Sequence, residues 1–148
     1  PGFKYNLTDI AAALGLQQLK RANAFQQRRA EIAALYDHGL NGLPVILPPR
    51  ALAGDTHSWH LYPLRLTQAS PLGRDALIER LFAERIGCSV HYIPLHLQPY
   101  WRDRYRLSAQ QFPHSQRAYE GLVSLPIYPR MSDADVQRVC KALRDALT

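Results

Sequence analysis

Apolar residues recur at helical spacing through the first quarter of the chain. They are Ile10, Ala13, Leu14, Leu16, Leu19, Ala22, Phe25, Ile32, Leu35 and Tyr36. Thr8 is a favourable N-cap before this stretch, and Gly39 and Gly42 are stop signals after it. The pattern predicts one helix over residues 9–38, roughly 45 Å long at the usual rise per residue. Because so long a helix would overhang a small domain, we expect it to connect this region to another.

Strand patterns follow the long helix. Residues 59–66 alternate with the period of two that is typical of a strand, and Pro63 would place that strand at an edge or a bulge. Residues 45–47 and 89–93 are predicted as shorter strands, and 124–129 as extended chain.

Helical patterns return between and after these strands. A helix is expected to begin at residues 73–75 and to end at Gly87, followed by an irregular aromatic segment over 95–111 and a short helix over 113–122. The face of the first of these helices would comprise Leu77, Ile78, Leu81 and Phe82. Ser132 would cap the last helix, whose core face would comprise Val136, Val139, Cys140, Leu143 and Leu147. The whole pattern predicts an α+β fold, in which a small antiparallel sheet is covered by helices and preceded by a long N-terminal helix.

Composition and charge narrow the classes of function only a little. The chain has 148 residues and a formal net charge of +6, which can indicate a nucleic acid, a membrane surface or an anionic small ligand. The basic residues are spread along helices and loops, so solvated helix faces are the simplest interpretation, and a phosphate-bearing small ligand is the preferred specific one. No apolar run is long enough to span a bilayer. The cysteines Cys88 and Cys140 are expected to be reduced thiols of a cytoplasmic protein.

The histidines are the main candidates for chemistry. His57 and His60, like His91 and His96, lack the spacing and the acidic neighbours of a metal site, so no metal ligand is predicted. His91 and His96 flank the end of a predicted strand, where ligand-contacting residues are often found. No motif of a serine or cysteine nucleophile occurs.

The segment 96–106 combines aromatic rings with arginines and has three interpretations. It could form a nucleic-acid surface, on which bases stack and guanidinium groups meet phosphates. It could equally be a loop packed on the domain, or a lid over an anionic substrate. The residue pattern alone leaves these alternatives open.

Several stretches resemble one enzyme family. The opening PGFKYNLTDI, which continues into an Ala-Ala-x-Gly-x-x-Gln-Leu pattern up to Leu19, and the segments HYIPLHLQPY at 91–100 and SLPIYP at 124–129 are similar in order and spacing to the DegT/DnrJ/EryC1/StrS aminotransferases. The opening stretch is most similar to the members that form UDP-4-amino-4-deoxyarabinose. These enzymes use pyridoxal 5'-phosphate to transfer an amino group, here expected from glutamate, to a nucleotide-linked keto sugar.

The resemblance implies that the chain is the C-terminal part of a fold-type-I transferase. Residues 1–40 would then be an inter-subunit motif with the connecting helix, and 41–148 the small C-terminal domain. The large domain with the catalytic lysine would precede Pro1, and the abrupt start of the chain suggests a truncation. The lysines present are Lys4, Lys20 and Lys141, and none matches the family's catalytic position. We therefore expect no catalytic residue in this chain and an inactive fragment.

The resemblance also implies site residues and partners. Asn6 matches the asparagine that reaches the cofactor phosphate of the other subunit in a homodimer. The candidates for substrate contacts are Lys4, Tyr5, His91, Tyr92 and His96. Bacterial surface-polysaccharide or related amino-sugar biosynthesis would be the setting, with neither nucleic acid nor membrane as a partner. The alternative is a non-catalytic binding or regulatory module of the same fold.

Overall fold

The helical pattern of the first quarter forms two helices, not one. The computed structural model describes residues 5–148, in which α1 spans Asp9–Leu19 and α2 spans Ala22–Gly39. The prediction of one continuous helix is wrong at Lys20 and Arg21. There the Arg21 N–H donates to Gln18 O at 3.0 Å, which is the i→i−3 bond of a 3₁₀ turn and not the i→i−4 bond of an α-helix. Neither proline nor glycine marks this break. The two helices also differ in packing, because α1 buries none of its residues whereas α2 buries Ile32, Ala33 and Tyr36.

Three short strands form an antiparallel sheet in the order β1-β2-β3. They are β1 Val45–Ile46, β2 Tyr62–Leu66 and β3 Leu122–Leu125. The predicted small antiparallel sheet is confirmed. Its strand β2 begins at Tyr62, later than the predicted strand over 59–66. Pro63 lies in the central strand, but β1 pairs only with Leu66 and Arg65, so Pro63 has a neighbouring strand on the β3 side alone. That arrangement suits a residue without a backbone N–H.

Residues 89–93 do not form the predicted strand. Within residues 5–148, their only ladder contact is a single antiparallel bridge between Ser89 and Ser124, although β2 covers only one edge of β3. A strand needs a partner backbone along its length, but in this segment only Ser89 is paired with a strand residue. The segment therefore continues as a loop fastened to β3 at one point.

The remaining helices are α3 Arg74–Ala83, α4 Pro99–Tyr105, α5 Pro113–Gly121 and α6 Asp133–Leu147. Two 3₁₀ turns, Leu95–Leu97 and Ala109–Gln111, flank α4, so the expectation of an irregular segment over 95–111 is wrong. Phe82 is 75% exposed and does not join the core face of α3. The chain leaves α3 through the left-handed conformation of Arg85, before the predicted stop at Gly87. The last helix follows the prediction, with a capping box of Ser132 and Asp135.

The core lies where α2 and α6 pack against each other and against the sheet. The two helices approach each other closely at Gly39, where an added Cβ would lie 2.6 Å from the Cys140 Sγ. Tyr36 is fully buried, and its hydroxyl donates to Pro126 O at 2.7 Å. This bond fastens the segment after β3 to α2 and places the residues around 124–130 beside the helix.

No helix within residues 5–148 combines the length and the apolar character that a membrane span requires.

Candidate substrate and cofactor site

His91 is held by the buried end of the sheet. Its Nδ1 forms a 2.9 Å hydrogen bond with Ser124 Oγ, and Ser124 is only 3% exposed. The backbones of Ser89 and Ser124 exchange two hydrogen bonds of 3.2 and 2.8 Å, so the loop cannot slide along β3. Tyr92 meets the His91 ring edge-on with 4.8 Å between ring centroids and is largely exposed. The structure thus joins two predicted site residues and presents their rings at the surface.

His96 lies deeper than His91. It is 3% exposed, and its Nε2 forms a 2.9 Å hydrogen bond with Gln116 Oε1. Its ring stacks on Phe112 at 5.0 Å between centroids. A pocket of about 440 Å³ opens beside it, lined by Pro94, Leu95, His96, Trp101, Leu107, Phe112 and Ser115. His96 thus contributes to the lining of a mainly apolar pocket.

The N-terminal site residues stand apart from this loop in the chain. Lys4 lies outside the described residues. Tyr5 and Asn6 are exposed and lead into α1, which begins where Thr8 Oγ1 accepts a hydrogen bond from the Ala11 N–H at 3.3 Å. The predicted N-cap is confirmed. Asn6 therefore projects from the start of a capped helix, where an amide donor is accessible to an anionic group.

The two described lysines are surface residues engaged with their own helices. Lys20 Nζ donates to Gln17 Oε1 at 3.4 Å, and Lys141 forms an ion pair with Asp145. The hydrogen bond from Lys141 to Asp145 raises the pKa of Lys141. A lysine that attacks a carbonyl group needs the opposite, a lowered pKa in a desolvated pocket. Neither environment is that of a nucleophile.

The cysteines offer no reactive thiolate. Cys88 and Cys140 are free and partly buried, and burial raises the pKa of Cys88 to about 11. Burial also raises the pKa of Cys140. Reactive cysteines have lowered pKa values, and burial shifts the pKa of both these thiols in the opposite direction.

Two residues that support the site carried no strong sequence signal. Ser124 belongs to the SLPIYP stretch, but its role as the anchor of His91 depends on a contact across 33 positions. Gln116 lies on α5 and looks like any solvated helix residue, yet it holds His96 and donates to Glu120 Oε1 at 2.8 Å. Buried polar side chains require a hydrogen-bond partner, and the buried His96 finds one in the partly buried Gln116.

Solved aminotransferases superpose on nearly the whole chain. PseC of Helicobacter pylori, an aminotransferase involved in the biosynthesis of pseudoaminic acid, matches 99% of it with a TM-score of 0.84 and 27% identity. Spr1654 of Streptococcus pneumoniae, assigned as a sugar aminotransferase and solved in a PLP form, matches 100% with a TM-score of 0.89 and 31% identity. The chain covers 39% and 38% of these two chains. The fold is that of the C-terminal small domain of a fold-type-I aminotransferase.

The family follows from the sequence comparison. Residues 1–144 match the DegT/DnrJ/EryC1/StrS aminotransferase family. SpsC of Bacillus subtilis, a spore coat polysaccharide biosynthesis protein, is 41% identical over 147 residues, which are 98% of this chain and 38% of SpsC. The chain belongs to the DegT/DnrJ/EryC1/StrS aminotransferase family. It spans little more than a third of the curated relatives that it matches.

Proposed function

We propose that the chain is the C-terminal part of a pyridoxal-phosphate-dependent aminotransferase that moves an amino group from glutamate to a nucleotide-linked keto sugar. The observation that carries the proposal is the family match over residues 1–144. Two relatives support the choice of substrate class, since SpsC is a spore coat polysaccharide biosynthesis protein and PseC is an aminotransferase involved in the biosynthesis of pseudoaminic acid. Bacterial surface-polysaccharide or related amino-sugar biosynthesis is the proposed setting, in the cytoplasm.

The proposed cofactor contact is Asn6. The exposed amide of Asn6 at the start of α1 suits a phosphate oxygen, and the absence of buried residues on α1 leaves this segment open to a partner. In a homodimer, Asn6 would donate to the cofactor phosphate held by the other subunit. Pyridoxal phosphate, when bound, supplies the electron sink that amino transfer requires.

The proposed substrate contacts divide between the two segments. Lys4 and Tyr5 would meet the sugar nucleotide from the N-terminal side. His91, oriented by Ser124, and the exposed Tyr92 would meet it from the loop after Ser89. His96 would contribute through its pocket and by holding the turn that follows the loop.

The catalytic lysine is proposed to lie in the part of the protein that the relatives have beyond these 148 residues. The support is the environment of Lys20 and Lys141, which are exposed and bound to their own helices. We expect that borohydride treatment with pyridoxal phosphate leaves the 148-residue chain without a specific covalent label. Stoichiometric labelling of one lysine would contradict this.

The activity is tested on the intact protein. Incubation with pyridoxal phosphate, glutamate and a panel of UDP- and dTDP-linked 4-keto sugars should yield an amino sugar nucleotide and 2-oxoglutarate in equal amounts, measured by mass spectrometry. Binding of a sugar nucleotide without any amino transfer would instead favour the non-catalytic module. Absence of both binding and transfer would overturn the proposal for these substrates.

A further inference from the structure

A basic pocket lies between the start of α2 and the segment that follows β3. It has a volume of about 370 Å³ and is lined by Arg21, Phe25, Arg29, Tyr128, Pro129 and Arg130. We call these residues the arginine pocket. Three arginines therefore line one cavity, although Arg21 and Arg130 are about a hundred residues apart in the chain.

The charges of the arginine pocket are not balanced within the described chain. Among residues 5–148, no aspartate or glutamate belongs to its lining, and Arg29 Nε is buried without a hydrogen-bond partner. The adjacent Arg28 provides an internal comparison. It donates to Met131 O at 2.7 Å and pairs with Asp133 at 2.7 Å and Glu31 at 3.1 Å. Of two neighbouring arginines on α2, one is saturated and the other has an unmet donor.

An unpaired, partly buried cation is costly, because it loses hydration and gains no counter-charge. An anion at the mouth of the pocket would offset this cost for the partly buried Arg29, and the exposed Arg21 and Arg130 would add attraction for the same anion. A carboxylate has two oxygens and is satisfied by one bidentate guanidinium, whereas a terminal phosphate offers three oxygens and more negative charge. Three arginines in the lining of one pocket therefore favour phosphate.

The remaining walls indicate what the phosphate is attached to. Phe25 and Tyr128 contribute aromatic rings and Pro129 an apolar ring, and Arg21 lies over the Phe25 ring at 4.6 Å. The cavity is also far larger than a free phosphate ion needs. Such a pocket has room for an organic group beside the anion.

We propose that the arginine pocket binds the phosphate group of a small ligand. The site does not depend on the proposed amino transfer, and it is distinct in its residues from the Asn6 segment and from the His91 loop. Its ligand chemistry is that of a phosphate ester or of free phosphate, with the ester favoured by the apolar walls.

The test is calorimetric titration of the intact, cofactor-loaded protein with phenyl phosphate, inorganic phosphate and benzoate. Arg21→Gln and Arg130→Gln remove exposed cations of the pocket, and Arg117→Gln removes an exposed cation of α5, outside the pocket, as the matched control. Each pocket variant should weaken phenyl phosphate binding about 10-fold or more, as expected for a charged hydrogen bond. The control variant should bind like the wild type.

The three probes separate the sources of the anion. Tighter binding of phenyl phosphate than of inorganic phosphate supports an ester, and equal binding supports free phosphate as the source. Benzoate binding as tightly as phenyl phosphate would overturn the preference for phosphate and with it the proposal. Equal affinities in wild type and both pocket variants, or an equal loss in Arg117→Gln, would overturn the site itself. These readouts do not involve activity, so they are independent of whether amino transfer is observed.

Discussion

Replacement of Gly121 by alanine should destabilise the fold through a contact with backbone atoms. Gly121 is the last residue of α5 and directly precedes β3. A Cβ at this position would lie 2.9 Å from Leu66 O and 3.2 Å from Leu66 N. A flexible side chain could turn away from such a contact, but Leu66 closes β2 and pairs with Val45 of β1. Relief would therefore require a shift of α5 or of the strand end.

The expected cost follows from that geometry. Forcing an extra carbon into a packed site costs about 1–3 kcal/mol. The better helix propensity of alanine recovers at most about 1 kcal/mol, and less at a terminal position of the helix. The net loss should be about 1–2 kcal/mol, which corresponds to a decrease in Tm of roughly 2–8 °C for a chain of this size.

Urea unfolding followed by tryptophan fluorescence measures this loss, because Trp59 is 4% exposed in the core and reports its opening. The matched control is Gly87→Ala, since a Cβ at Gly87 has no atom within 4 Å. The free energy of unfolding of this control should stay within about 0.5 kcal/mol of the wild-type value. The m-value should be the same in all three proteins. A Gly121→Ala protein as stable as the wild type, beside an unaffected control, would refute the reasoning from backbone contact.

Four further predictions address the site and the Cys88 thiol. Asn6→Ala should weaken retention of pyridoxal phosphate by the intact protein by about 1–3 kcal/mol, measured by equilibrium dialysis with Asn41→Ala as the control; unchanged retention would contradict the contact across subunits. Ser124→Ala removes the hydrogen bond to His91 and should cost about 1 kcal/mol of unfolding free energy; urea unfolding without a change would show that water replaces the hydroxyl fully. Because burial raises the pKa of Cys88 from 9.0 to about 11, its native thiol should react with a disulfide reagent at pH 8 far more slowly than in the unfolded chain. The same shift predicts that its contribution to stability is present below pH 9 and lost as the pH rises to 11, and a pH-independent stability over that interval would contradict it.

Local signals explain what the sequence could predict. The last helix was predicted with its N-cap, because the capping box of Ser132 and Asp135 and the apolar spacing of Val136, Val139 and Leu143 all lie within one short segment. Tertiary contacts adjusted only the packing, which leaves Cys140 partly buried. Where every determinant is local, propensity and periodicity are sufficient.

Strands and side-chain anchors depend on distant partners, and there the sequence was less informative. Residues 89–93 have strand-like composition, but only Ser89 finds a partner on β3. The same bridge brings His91 to Ser124, so the failed strand and the placement of a site residue have one cause. The arginine pocket is a stronger case, because Arg29 and Arg130 have no local pattern in common that would bring them together. Spread charges along a sequence thus become a cluster only through the fold.

In the two helices of the N-terminal region, one periodic apolar pattern extends beyond the residues that pack into the core. α2 uses its apolar positions for the core, with Tyr36 bonded to Pro126. α1 continues the same pattern, yet its Ile10 and Leu14 are 78% and 63% exposed. Asn6 is attached to α1, so the packing of the small domain does not set its distance from His91. The exposed apolar positions of α1 form a surface that a partner could cover, and such a partner would also position Asn6.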